Sequence, residues 1–233
     1  MAKIGMIGGF GPESTLDYYR LLIEEHRSKS KEEANPEIII YSMDINKLLK
    51  LVGDKQWEKL TDYLIEGIKV LENSGADFAF ISSNTPHIVF DRLRELSSIP
   101  LISIVEKTCE HIKKSGIKKV ALLGTKFTME SDFYEKACNK EGLEIFYPNE
   151  KEQEYIQNKL MTEIELGQFL EETRQGLLCI IKRMIEDNSI EGVILGCTEL
   201  PLILTKDEFG IHFFNTSKIH VESIIEHYLN ISE

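Results

Sequence analysis

Apolar residues follow two rhythms along this chain: short unbroken runs, and longer stretches in which they recur every three or four positions. The runs at Lys3–Gly8, Glu37–Ser42, 77–82, 118–124 and Gly192–Leu195 have the length of strands covered on both faces. Between them, Leu16, Tyr19, Leu22, Ile23 and His26 fall at helical spacing, as do Leu60, Leu64, Ile68 and Leu71. The alternation predicts βα units around a parallel sheet, so the fold class is α/β. The polar stretch 149–154 has few apolar anchors and reads as an exposed loop leading into a helix, a candidate lid.

The pattern repeats itself. AKIGMIGGFGPESTLDYY near the start returns in outline as KVALLGTKFTMESDFYEK, with Gly8 and Gly124, and Tyr18 and Tyr134, each 116 positions apart. ADFAFISSNTPH and IEGVILGCTELP form a second pair, in which Ser83 and Cys197 each close an apolar run, 114 positions apart. A duplicated chain implies two pseudo-symmetric lobes, each a parallel sheet flanked by helices. The expected boundaries are 1–99 plus 208–233 for one lobe and 100–207 for the other. Parallel sheets bind ligands at the carboxyl ends of their strands. The active site is therefore expected in the cleft between the lobes, with Ser83 facing Cys197.

Composition narrows the chemistry. With 27 basic against 39 acidic residues, a net charge of −12, the chain has no broad basic footprint for nucleic acid. No run approaches the roughly 18 apolar residues of a membrane span, and the start lacks a secretory signal's basic segment and cleavage site, so a cytoplasmic protein is expected. Cys109, Cys138, Cys179 and Cys197 are scattered without a CxxC pair, which argues against a disulfide framework and a structural zinc site. The six histidines form no ligand motif, so no metal is expected.

Three motifs carry candidate chemistry. GGFGPEST, residues 8–15, lacks the lysine of a phosphate-binding loop, and Ser14 stands where a dinucleotide fingerprint has its third glycine. Its amides suit a small carboxylate, or the segment is a tight turn with Pro12 and a capping Ser or Thr. SSNTPH, residues 82–87, offers more donors than one helix cap needs, and the surplus suits a carboxylate or an enolate oxygen. His87 there has a minor role at best. GCTEL, residues 196–200, puts a thiol between a strand and a predicted helix, whose N-terminus lowers a thiol pKa below about 8.5. Thr198 adds a donor and Glu199 a base or orienting carboxylate, whereas Cys109, Cys138 and Cys179 read as small buried hydrophobes.

These segments, with ALLGTKFTMESDFY and the ELGQF of 165–169, resemble the aspartate/glutamate racemase family over almost the whole chain. The resemblance implies two pseudo-symmetric α/β lobes, a homodimer, an amino-acid substrate, and no pyridoxal phosphate, metal or other cofactor. Mapped onto this chain, it implies Cys197 and position 83 as the two acid/base groups. It also implies substrate contacts at Gly9, Asn84, Thr85, Thr125, Thr198 and Glu199. The family's first cysteine is replaced by Ser83, a far weaker proton acceptor, so Cys197 is implied as the base for the L-enantiomer, with reprotonation from the Ser83 side. Turnover of L-substrate is expected to exceed that of D-substrate.

Aspartate or glutamate is the substrate implied by likeness. The stretches that hold side-chain-binding cations in many family members read MDIN at 43–46 and Glu165 here, leaving Lys47 and Lys126 as the cations nearest in sequence. A broad-specificity racemase, a single-cysteine enzyme resembling arylmalonate decarboxylases and a non-catalytic amino-acid-binding protein are the other readings.

Overall fold

The computed structural model describes residues 2–30 and 35–232, which fall into two compact units, Met1–Ile104 with His220–Glu233, and Val105–Ile219. The first unit runs β1 (Lys3–Gly8), α1 (Pro12–Lys29), β2 (Glu37–Ser42), α2 (Ile45–Gly53), α3 (Trp57–Asn73), β3 (Phe78–Ile81), α4 (Phe90–Leu96) and β4 (Leu101–Ile102). The chain continues through α5 (Ile104–Lys114), β5 (Lys119–Leu123), α6 (Lys126–Glu130), α7 (Phe133–Glu141), β6 (Glu144–Phe146) and α8 (Glu150–Thr162). It ends with α9 (Glu171–Asn188), β7 (Gly192–Leu195), α10 (Leu200–Ile203), β8 (His212–Asn215) and α11 (Thr216–Ser232).

Each unit holds a four-stranded, all-parallel sheet, in the order β2-β1-β3-β4 and β6-β5-β7-β8. The two orders are the same order once β1 is matched to β5 and β3 to β7. The correspondence reaches single hydrogen bonds: Ser82 N donates to Ile7 O (3.0 Å) after β3, and Gly196 N donates to Leu123 O (2.6 Å) after β7. The central strands β1, β3, β5 and β7 are buried almost throughout, as expected when helices cover both faces. β4, β6 and β8 are short edge strands, too short or too mixed in polarity to stand out in the sequence.

Three expectations change. The second unit does not span 100–207: β4 pairs with β3, and β8 pairs with β7, so residues up to 104 stay in the first unit and residues up to 219 in the second. In α1 the buried row is Ser14, Tyr18, Leu22 and His26, one residue every four, while Leu16 (64% exposed) and Tyr19 (48%) face outward. Polarity explains the shift, because Tyr18 Oη meets His220 Nδ1 at 3.0 Å and His220 Nε2 meets the Ile102 carbonyl at 3.1 Å inside the first core.

The stretch 149–154 is not a loop. Asn149 caps α8 and accepts from Glu152 N (3.1 Å), Asn149 N donates in turn to the Glu152 carboxylate (2.9 Å), and that carboxylate also takes a two-pronged contact from Arg183 (2.6 and 2.7 Å). Capping and ion pairing fix a segment that lacks apolar anchors. Among the described residues, no helix is long and apolar enough to cross a membrane.

Candidate active site

The second unit gathers a thiol and two carboxylates at the end of β7. Glycine at 196 suits the close packing here, because a Cβ would stand 2.6 Å from Leu122 Cδ1 and 3.0 Å from Leu123 O, and the Leu122 side chain would have to shift. The tight turn that follows buries Cys197, whose Sγ donates to Glu199 Oε2 at 3.0 Å, and Thr198 Oγ1 donates to the same oxygen at 2.8 Å. Glu165 arrives from a 3₁₀ turn at Ile164–Leu166, and its carboxylate, Cys197 Sγ and a Glu199 oxygen all lie within 4.8 Å of one another. Glu163 anchors that turn through hydrogen bonds from Lys159 Nζ and Thr173 Oγ1, and Gly167, at φ +74°, lets the chain leave it.

Crowded negative charge sets the protonation of this cluster. Loss of water around the Glu165 carboxyl, together with the neighbouring Glu199, pushes Glu165 up to about 7. Burial, then the Glu199 charge, push the Cys197 thiol well above its ordinary range. This reverses the sequence expectation of a lowered thiol pKa. The helix after Cys197, α10, is a single turn of Leu200–Ile203 and cannot offset burial beside a carboxylate. Cys197 is thus held as a thiol with a proton acceptor in contact. One thiol and two carboxylates could also hold a divalent cation.

Thr125 stands at the end of the neighbouring β5 and caps α6, sharing a 3.0 Å contact with Thr128 Oγ1. The strand ends approach closely, since a Cβ on Gly124 would lie 3.2 Å from Gly196 O.

In the first unit, Ser83 occupies the place that Cys197 occupies in the second, two residues past the last residue of β3 as Cys197 is past that of β7. Ser83 is half-buried; Asn84 is buried and opens the 3₁₀ turn Thr85–Val89. Ser82 is tied down by its own hydroxyl to Ile7 O (3.1 Å) and by Ser14 Oγ, which donates to the Ser82 carbonyl (3.1 Å). GGFGPEST and SSNTPH are therefore one connected construction.

Within GGFGPEST, Gly9 has φ +86°, and a Cβ there would sit 2.3 Å from Met43 O. Its amide donates to Thr15 Oγ1 (2.9 Å), which in turn donates to Gly11 O (3.0 Å). The segment is a turn stitched by Thr15, and α1 starts at Gly11 without a side-chain cap. His87 is buried and stacks on Phe90 (4.6 Å, 7° between planes), its ring nitrogens close to the Ser83 and Asn84 carbonyls but outside hydrogen-bonding geometry. Burial holds its pKa down at about 3.

Sequence reasoning missed Glu165 as a neighbour of Cys197. Thirty-two positions separate them, and no local spacing signals the contact. The two cations closest in sequence are engaged elsewhere: Lys47 Nζ lies over the Tyr63 ring (4.1 Å), and Lys126 lies 3.7 Å from Glu130 and 3.8 Å from Glu154.

Residues 7–224 match the model of the Asp/Glu/hydantoin racemase family. The chain belongs to that family. Among curated racemases it is similar to the broad specificity amino-acid racemase RacX of Bacillus subtilis, at 25% identity over 97% of this chain and 98% of the relative. An aspartate racemase homologue from Pyrococcus horikoshii superposes with a TM-score of 0.85 at 39% identity, over 97% of this chain and 99% of that one. Picrophilus torridus aspartate racemase shares the fold, with a TM-score of 0.78 at 22% identity over 97% and 94% of the two chains. These racemase relatives make the chain an isomerase of amino acids.

Proposed function

We propose that this racemase works without a cofactor, removing the α-proton of an L-amino acid at Cys197 and returning a proton from the Ser83 side. The observation that carries the reading is the Cys197–Glu199 hydrogen bond, with Glu165 beside it. A protonated thiol is not yet a base. Glu199 first accepts the Cys197 proton, and the thiolate then takes the α-proton, leaving an enolate-like carboxylate.

Asn84, Thr85, Thr125 and the backbone N–H of Thr198 are the donors assigned to the substrate's developing charge, and Gly9 shapes the end of β1. Ser83, or a water it holds, protonates the opposite face of the α-carbon. Glu165, poised near neutrality, tunes the charge that Cys197 and Glu199 must share.

Aspartate and glutamate are the first substrates assigned, on family likeness. A broad-specificity reading is supported by the acidic character of the cluster and by the engagement of Lys47 and Lys126 elsewhere. Assembly as a homodimer in the cytosol completes the proposal, by the same likeness. Chiral chromatography of reactions begun from each enantiomer of aspartate, glutamate and a neutral panel tests it. Formation of the opposite enantiomer, lost in Cys197→Ala, is the expected result. Release of carbon dioxide from an arylmalonate, or binding without turnover, would replace it with the decarboxylase or binding-protein reading.

A further inference from the structure

Away from the candidate site, two other cysteines touch. Cys109 on α5 and Cys138 on α7 are both fully buried, and their sulfurs lie 3.4 Å apart. They belong to the same unit, the two helices lie on either side of β5 in the chain, and no other thiol shares the contact among the described residues. A disulfide has its sulfurs about 2.05 Å apart, so closing the bond takes a movement of little more than an ångström. Side-chain rotation and small helix shifts supply movements of that size.

We infer that Cys109 and Cys138 form a reversible intramolecular disulfide that ties α5 to α7 when the protein meets a hydroperoxide. In the reaction the two thiols lose two protons and two electrons. The O–O bond of hydrogen peroxide breaks and takes up both, leaving two molecules of water, and a small thiol reductant returns the pair to the dithiol by exchange.

The bracketed segment contains β5, Thr125 and α6, so the cross-link fastens the chain on both sides of the β5 end. The contact with the Cys138 thiol, and then burial, push the Cys109 thiol upward, which keeps the closed pair protonated and makes local opening of α5 or α7 the entry to oxidation. Cys179, exposed and distant in sequence, is a free thiol outside this contact and gives the internal comparison.

The test treats the full-length protein with limiting hydrogen peroxide and maps non-reduced peptides by mass spectrometry. The expected result is a mass lower by about 2 Da, a peptide pair joining residues 109 and 138, and full recovery on reduction with dithiothreitol. Closing this loop should also raise the unfolding midpoint by about 5 °C or more. Cys138→Ala should lose the linked peptide. Oxygen adducts on the separate cysteines, or chain-to-chain disulfides through Cys179 with no 109–138 linkage, would overturn the inference, and the wild-type map decides it even if the variant does not fold.

Discussion

Cys197 Sγ donates its proton to Glu199 Oε2 across 3.0 Å, so the residue assigned as the base rests as an acid beside its own acceptor. Glu199→Gln removes both the acceptor and the charge that helps to raise the thiol pKa. Turnover should fall by about 10²–10⁴ while the thiol ionises at lower pH than in the wild type. Thiolate absorbance followed against pH, alongside kcat, checks both changes.

Glu165 should give the rate profile an inflection near pH 7. Its carboxyl is pushed up to about 7, so it passes from neutral to charged through the physiological range, and Glu165→Gln should erase that inflection in kcat/KM. The sign for stability follows. A carboxyl raised above its unfolded value supports folding fully at low pH and loses that support as pH rises through 7. Glu165→Gln should therefore stabilise the protein above pH 7, by about 1–2 kcal/mol after solvent screening. Denaturant titrations at pH 5 and pH 8 measure the difference.

His87 has the opposite shift and the opposite expectation. Its folded value of about 3 lies below the ordinary 6.5, so protons bind the unfolded chain first and stability drains as pH falls from 6.5 toward 3. The loss should reach about 4 kcal/mol at the acid end. His87→Phe, which keeps the stack on Phe90, should remove most of this acid sensitivity, as urea unfolding between pH 4 and pH 7 would register.

Ser83→Cys restores a thiol at the place equivalent to Cys197. Because the equilibrium constant between enantiomers is one, kcat/KM must be equal for both, and any asymmetry resides in kcat and KM separately. The wild type should show the larger kcat with the L-enantiomer, and the variant should raise kcat for the D-enantiomer, read from initial rates in each direction.

Chelation should leave the rate unchanged. The proposed proton transfer uses only the Cys197 thiol and the Glu199 carboxylate in contact with it. Activity within experimental error after treatment with EDTA is the expected result, and loss that zinc or manganese restores would assign Glu165, Cys197 and Glu199 to a metal instead.

Much of this was legible in the sequence because the chain says it twice. β1, β2 and β7 lie where the apolar runs put them, and the repeat alone puts Ser83 and Cys197 at equivalent strand ends. Edge strands such as β6, three residues long, carry too little pattern to register. The outward turn of Leu16 and Tyr19 was hidden because Tyr18 and His26 look polar by type, yet they are buried within the first unit. At the site, the thiol and its adjacent carboxylate were readable as neighbours in GCTEL. Glu165 was not, since only the path of the chain through α9 returns it to β7, and the raised thiol pKa depends on that burial and charge.

Proton NMR of the α-position in deuterated water, with L-aspartate, L-glutamate and neutral L-amino acids, tests the central claim most directly. The account predicts loss of the α-proton signal together with appearance of the D-enantiomer, both abolished in a folded Cys197→Ala protein. Exchange that persists undiminished in Cys197→Ala would contradict it.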